Sequence, residues 1–164
     1  MMKQYAPYLI FTISISAFCA LIFVAPCTAH MGEENPAYSI ISNFTYDFFH
    51  TTCHQNPERS FLLFGYQLGV CARCTGIYLG MLALTISYLV FKRINDNSTP
   101  SKYYLIASLI PIGLDGGSQI LGLRESFNEL RFVTGFIFGG ILVFYLIPVF
   151  NQLFWRAVDR LKNK

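Results

Sequence analysis

Charge is scarce in this sequence. Only 13% of its 164 residues are Asp, Glu, Lys or Arg, about half the share usual in a soluble domain. With 54% hydrophobic residues and a mean hydropathy of +0.45, the chain holds more apolar surface than one soluble core of this size can hide. The net charge is +3, with no basic tract, which argues against nucleic acid as a partner. There is no phosphate-binding glycine loop, no paired dinucleotide fingerprint and no serine–histidine–acid constellation, so nucleotide-dependent and triad chemistries have no motif to stand on. Only three histidines and five cysteines are present, and most of them crowd into one short stretch.

What the chain has instead is long charge-free runs. Residues 4–32, 74–91 and 132–155 carry no Asp, Glu, Lys or Arg, and 103–123 carry only Asp115. A helix needs about 20 mostly apolar residues to cross a bilayer. The expectation is therefore one all-α membrane domain over 1–164, with four transmembrane helices near 7–26, 74–91, 103–122 and 133–153. Lys3, the apolar run and the small residues of Cys27-Thr28-Ala29 also fit a signal peptide cut after Ala29. The apolar run from Tyr8 to Ala25 is longer than a usual signal core, which favours a retained helix.

Lys and Arg are unevenly shared between the two sets of span ends. Eight (Lys3, Lys92, Arg93, Lys102, Arg156, Arg160, Lys162 and Lys164) fall on one side, and four (Arg59, Arg73, Arg124 and Arg131) on the other. The richer side is expected to be cytoplasmic. Both termini then lie inside a plasma membrane, such as a bacterial inner membrane, and the first and third loops lie outside.

The first outer loop, 30–73, is too apolar for a plain linker. Asn35 suits a helix N-cap and Pro36 the first helical position. Ile41, Phe44 and Phe48 then make one apolar stripe, expected to rest on the outer membrane surface or on the other spans. His50, Cys53 and His54 share a face near the end of this amphipathic helix. Cys71-x2-Cys74 follows where the second span begins. Two close pairs of Cys or His are the spacing of a zinc or other transition-metal site. The candidate ligands are Cys53, His54, Cys71 and Cys74, with His50 as an alternative to His54. Cys71 and Cys74 at a helix N-terminus beside Arg73 also fit a redox dithiol. A structural disulfide or idle thiols fit as well. Thr75, not His, follows Cys74, which disfavours a c-type haem.

Asp115 lies about 18 Å along the third span, where an unpaired carboxylate is costly. Arg124 or Arg131 is the expected partner, with Arg73 next. Gln119 sits one turn further on, and Arg59, Arg73, Gln119 and Asn128 complete a candidate polar pocket. If the site is catalytic, Asp115, Arg124 and Arg131 are the candidates. A transport path past Asp115 and Gln119 is a separate reading. Three small-x3-small pairs, Gly76/Gly80, Gly113/Gly117 and Gly135/Gly139, mark close helix packing. "RCTGIYLG" and "RFVTGFIFG" echo each other with one residue inserted, as a duplicated helix pair would.

Two long motifs also carry a family resemblance. Cys53-His54-Gln55-x-Pro57-Glu58-Arg59-Ser60-Phe61 and Cys71-Ala72-Arg73-Cys74-Thr75-Gly76-Ile77-Tyr78-x-Gly80 are followed by Asp115, Gln119, Gly122, Arg124, Ser126, Asn128, Leu130-Arg131 and Thr134-Gly135. From about Cys53 to Gly139 the chain resembles the family of small membrane proteins catalogued as domain of unknown function 2085. That resemblance implies three or four spans and brings no activity with it. The function expected from the residues is an outward-facing, metal-binding site that takes a small polar molecule or a lipid head group.

Overall fold

The computed structural model describes residues 2–93, 96, 98–123 and 125–162. Five helices carry the fold: α1 (Met2–Met31), α2 (Pro36–His50), α3 (Ala72–Phe91), α4 (Lys102–Ile120) and α5 (Asn128–Lys162). Between α2 and α3 lie a single 3-10 turn, Pro57–Arg59, and a two-stranded hairpin, β1 (Leu62–Leu63) and β2 (Tyr66–Gln67). The hairpin is the one departure from the all-α expectation among the described residues. Its tip, Phe64-Gly65, has φ of 55° and 85°, the two positive angles of a turn that matches strand twist.

Three described helices are long and apolar enough to cross a membrane: Tyr5–Met31, Ala72–Phe91 and Asn128–Lys162. The remaining expected span, 103–122, falls on α4, a helix of 19 residues. Lys102, Asp115, Gln119 and three glycines dilute its apolar character, so composition alone does not make it a span.

α3 and α5 run parallel, backbone against backbone. A Cβ placed on Gly76 or Gly80 would collide with the carbonyl oxygen of Phe132 or Phe136, and one on Gly135 or Gly139 with that of Arg73 or Ile77. The pairing is reciprocal. Exchange the helices and each glycine–carbonyl contact maps onto another, which is the relation expected of the sequence echo. The third pair behaves differently: nothing lies within 4 Å of a Cβ built on Gly113 or Gly117. That pair is a local property of α4, not a helix contact.

α4 runs antiparallel to α5. Tyr145 donates its hydroxyl to the Ser101 carbonyl at 2.8 Å at one end, and Asp115 meets α3 at the other. α1 is antiparallel to α3, with the Tyr8 hydroxyl on the Thr85 carbonyl at 2.8 Å and the Cys19 thiol on that of Tyr78 at 3.3 Å. One apolar cluster, Tyr8, Tyr88, Val143 and Ile147, fills the lower bundle. A second, around Ile22, Phe49, Leu68 and Val70, fills the end where the cysteines are.

α2 begins as its sequence predicts. Asn35 accepts a hydrogen bond from the Ala37 N–H, and Pro36 opens the helix. Of the two places expected for its apolar stripe, the other spans are not the one: Ile41, Phe44 and Phe48 all turn outward, Phe44 exposed by 73%. Ser42, Thr45 and Phe49 are the buried face. Small hydroxyl side chains let α2 approach α1 closely because backbone carbonyls satisfy them. Ser42 donates to the Ala25 carbonyl at 3.1 Å, and Thr45 to that of Ile41 in its own helix at 2.7 Å. Phe49 adds an edge-on contact to Phe18, with ring centroids 5.2 Å apart.

The glycine contact yields a direct test. Gly139→Ala should destabilise the protein by about 1–3 kcal/mol, the usual cost of overpacking. Gly117→Ala, with open space around it, should be neutral or stabilising by up to about 1 kcal/mol through helix propensity. Chemical unfolding of the detergent-solubilised variants measures both.

Candidate functional site

The cysteines meet because three local devices bend the chain back on itself. First, α2 ends at His50, yet Cys53 still donates its backbone N–H to the Phe49 carbonyl at 2.9 Å, so its side chain stays on the buried face. Second, Gln55 takes a left-handed φ of 47° and turns the chain away. Its amide donates to the carbonyls of Tyr46 and Gly69, both at 2.8 Å, tying the end of α2 to the segment that enters α3. Third, Gly69 donates its N–H to the Ile22 carbonyl at 3.0 Å. A Cβ there would lie 2.8 Å from the Phe49 ring, so only glycine lets this strand of chain pass so close.

The result is a buried sulfur cluster. The Sγ atoms of Cys53, Cys71 and Cys74 all lie within 4.8 Å of one another, and all three are free thiols. Cys71 is the N-cap of α3 and donates its backbone N–H to the Cys53 sulfur at 3.2 Å. Hydrogen bonds from the Cys71 and Cys74 thiols, and from the backbone at Cys71 and Gln55, hold the Cys53 thiol well below its ordinary pKa. Cys71 is pushed up, first by the proton it shares with Cys53. Cys53 is thus the hydrogen-bond acceptor of the cluster and the most acidic of its three thiols. Such a cluster is chemically able to hold a metal ion. Zinc at about 2.3 Å from tetrahedral sulfurs sets neighbouring sulfurs about 3.8 Å apart, within the observed bound.

The expected histidines do not join it. His54 is exposed, and its Nδ1 accepts the Asn56 backbone N–H at 3.0 Å. His50 is exposed at the end of α2. Among the described residues the metal-competent group is the three cysteines alone. Adjacent side chains at 53 and 54 diverge once the helix has ended.

A polar seam adjoins the sulfurs. Arg73, between the two cysteines of α3, reaches Asp115 of α4 at 2.5 Å. Asp115 is buried to 2% side-chain exposure, while Arg73 keeps 26%. The guanidinium lies against Gly116. Arg131, expected ahead of Arg73 as the partner of Asp115, instead donates to the Asn128 Oδ1 at 2.8 Å. Arg124, the other expected partner, falls outside the described residues. Gln119 is half-buried one turn beyond Asp115 and makes no hydrogen bond to the Arg73–Asp115 pair. Asn128 donates to the Ser60 carbonyl at 3.2 Å, and Phe61 packs on Phe132. The loop carrying the exposed Arg59 is thereby docked on the first turn of α5.

Gln55, Ser60 and Gly69 were given no role from sequence. The first two stand inside the Cys53–Phe61 motif, and a glycine two residues before a Cys-x2-Cys was the available signal for the third.

Comparison with known proteins fits this geometry. A family described as predicted membrane protein, domain of unknown function 2085, matches residues 53–145. The chain belongs to this family. The match opens at Cys53 and covers the cysteine cluster, the Arg73–Asp115 pair and the glycine contact. An uncharacterized protein of Methanocaldococcus jannaschii, MJ1492, is 48% identical over 155 residues, covering 94% of this chain and 98% of the relative. An uncharacterized protein of Methanothermobacter thermautotrophicus is 42% identical over 89 residues, covering 53% of this chain and 77% of the relative. Both are archaeal, so the expected bacterial setting has no support. No solved structure matches the chain.

The seam predicts strong coupling between two side chains 42 positions apart. Asp115→Asn should cost about 3 kcal/mol, the low end for breaking a buried pair, because Arg73 is partly solvated. Arg73→Gln with Asp115→Asn should cost less than the two single changes together, with a coupling of about 1–3 kcal/mol. A double-mutant cycle of unfolding free energies in detergent measures it.

Proposed function

We propose that this protein is a four-span membrane protein whose cysteine cluster binds a transition metal, zinc above all, in a site that faces away from the cytoplasm and takes a small polar or lipid head group. One observation carries the reading: three cysteines from two separate segments bring their sulfurs within 4.8 Å of one another in a mostly buried setting. Thiolate is a soft ligand suited to zinc. Three protein ligands leave one tetrahedral position for a polar group, as in sites that exchange ligands. The hydrogen bonds to Cys53 from the chain around it are of the kind that orient and tune a thiolate ligand.

The membrane setting is supported by three apolar helices and the family match. α4 serves as the fourth span in this reading because Arg73 offsets the charge of Asp115, which otherwise opposes insertion. The outward apolar face of α2 then lies in lipid at the membrane surface. The eight-to-four bias of Lys and Arg supports an orientation with both termini inside. Phe64→Cys, at the exposed hairpin tip, should react with a membrane-impermeant thiol reagent in intact cells, well above the parent protein. Labelling only after lysis would invert the topology.

Purified in detergent, the protein should carry about one zinc-class ion per chain, measured by elemental mass spectrometry. Cys53→Ser, Cys71→Ser and Cys74→Ser should each lower metal content and thermal stability together, whereas Cys19→Ser should not. Ligand thiols bind as thiolates, so metal content should fall as pH is lowered. A metal-free parent in which two thiols resist alkylation until reduced would favour the dithiol reading, for which the Cys71–Cys74 pair at the start of α3 is placed.

A further inference from the structure

Close to the sulfurs, the first turns of α3 and α5 gather positive charge. Arg131 lies within electrostatic reach of Arg59, Arg73, Asp115 and Cys71. Arg59, Arg73 and Arg131 thus share this end of the bundle, where Asp115 is held by Arg73. Burial sharpens the imbalance. Arg131 is only 5% exposed and Ser126 only 8%. The Nε atoms of Arg131 and Arg73 and the Oγ of Ser126 are buried with no hydrogen-bond partner. Buried polar groups are nearly always satisfied, so each of these three calls for a partner. The start of α5 adds to this, since the first amides of a helix have no partner within it and carry the positive end of its dipole.

We propose that Arg131, Ser126, Arg73 and Arg59 bind a phosphate-class oxyanion at the N-terminus of α5. The charge fits in sign, since three arginines outnumber Asp115 and Glu129 of the first turn of α5. The donors fit as well: guanidinium forks, a hydroxyl and helix amides are what phosphate oxygens accept from. Arg131 and Ser126 form the base, Arg73 one wall and the exposed Arg59 the rim. Leu121, Leu123 and Phe127 are exposed beside this helix start, where the acyl chains of a phospholipid would run. The source of the phosphate is therefore a lipid head group or the free ion. This inference deepens the polar-ligand half of the function proposed above, rests on it for the membrane setting alone and needs no metal.

The test uses the full chain in two settings: detergent with inorganic phosphate, and lipid nanodiscs with or without phosphatidic acid. Chloride replaces phosphate at equal ionic strength as the control. Ligand binding to the folded state should raise the unfolding midpoint by about 2–4 °C. A rise with inorganic phosphate identifies a site for the free ion, and a rise with phosphatidic acid alone identifies a head-group site. Either supports the proposal if Arg131→Gln abolishes the shift and Arg59→Gln, at the exposed rim, weakens apparent affinity about tenfold. Arg131→Lys should restore part of the shift, because charge returns without the fork. If Arg131→Gln does not fold, Ser126→Ala with Arg59→Gln takes its place. No shift with either probe overturns the proposal, and so does a shift that survives in the arginine variants. Cys71→Ser separates the two readings: phosphate binding should persist in it while metal is lost. Loss of both in a folded Cys71→Ser protein would put the anion on the metal and overturn the arginine site.

Discussion

Backbone contact between α3 and α5 is the constraint on which the rest depends. Four glycines bring two helix backbones to a separation that no side chain permits. Because the helices run parallel, their N-terminal turns arrive together at one end of the bundle. The cysteine cluster and the polar seam are borne on those turns or packed against them: Cys71, Arg73 and Cys74 at the start of α3, Asn128 and Arg131 on α5. Loosen the contact by one side chain and the sulfurs, the arginines and Asp115 no longer share a common frame. The same closeness explains the burial of Arg131 and Thr134, which would be solvated at a wider interface.

The polar seam follows from that closeness. α4 carries a carboxylate in its interior, placed where the α3 guanidinium can cover it. Arg73 therefore acts twice. It offsets the burial of Asp115, and it adds positive field beside Cys71 and Cys74, the two thiols that donate to the Cys53 sulfur. A lysine in its place would supply charge but not the flat group that lies against Gly116.

Local features were legible in the sequence. The Asn35 cap, Pro36 at the helix start and the convergence of three cysteines follow from short-range chemistry and spacing. Two of three glycine pairs were correctly placed as contacts, and their echo was visible. What could not be read was which neighbour a face meets. Ile41, Phe44 and Phe48 announce an apolar stripe, but periodicity does not say whether protein or surroundings cover it. The choice of Arg73 over Arg131 by Asp115 depends on helix register across the bundle, which no spacing encodes. His54 looked like a ligand because it adjoins Cys53 in sequence, whereas the turn at Gln55 sends it to the surface. Gln55 itself, the residue that draws the two cysteine segments together, looked like filler.

The cluster straddles a mechanical boundary. Cys53 is carried by α2, which rides on α1; Cys71 and Cys74 are carried by α3, which is fused by its glycines to α5. α1 is held to α3 and the segment before it by separate hydrogen bonds from Tyr8, Cys19 and Gly69, not by a continuous glycine seam. Sliding α1 by a single residue would move it about 1.5 Å along its axis, and Cys53 would travel with it while the other two sulfurs stayed put. That displacement is large against a metal–sulfur bond. Sulfur spacing is thus a ruler for the relative depth of two halves of the molecule, and whatever bridges the sulfurs pins that depth.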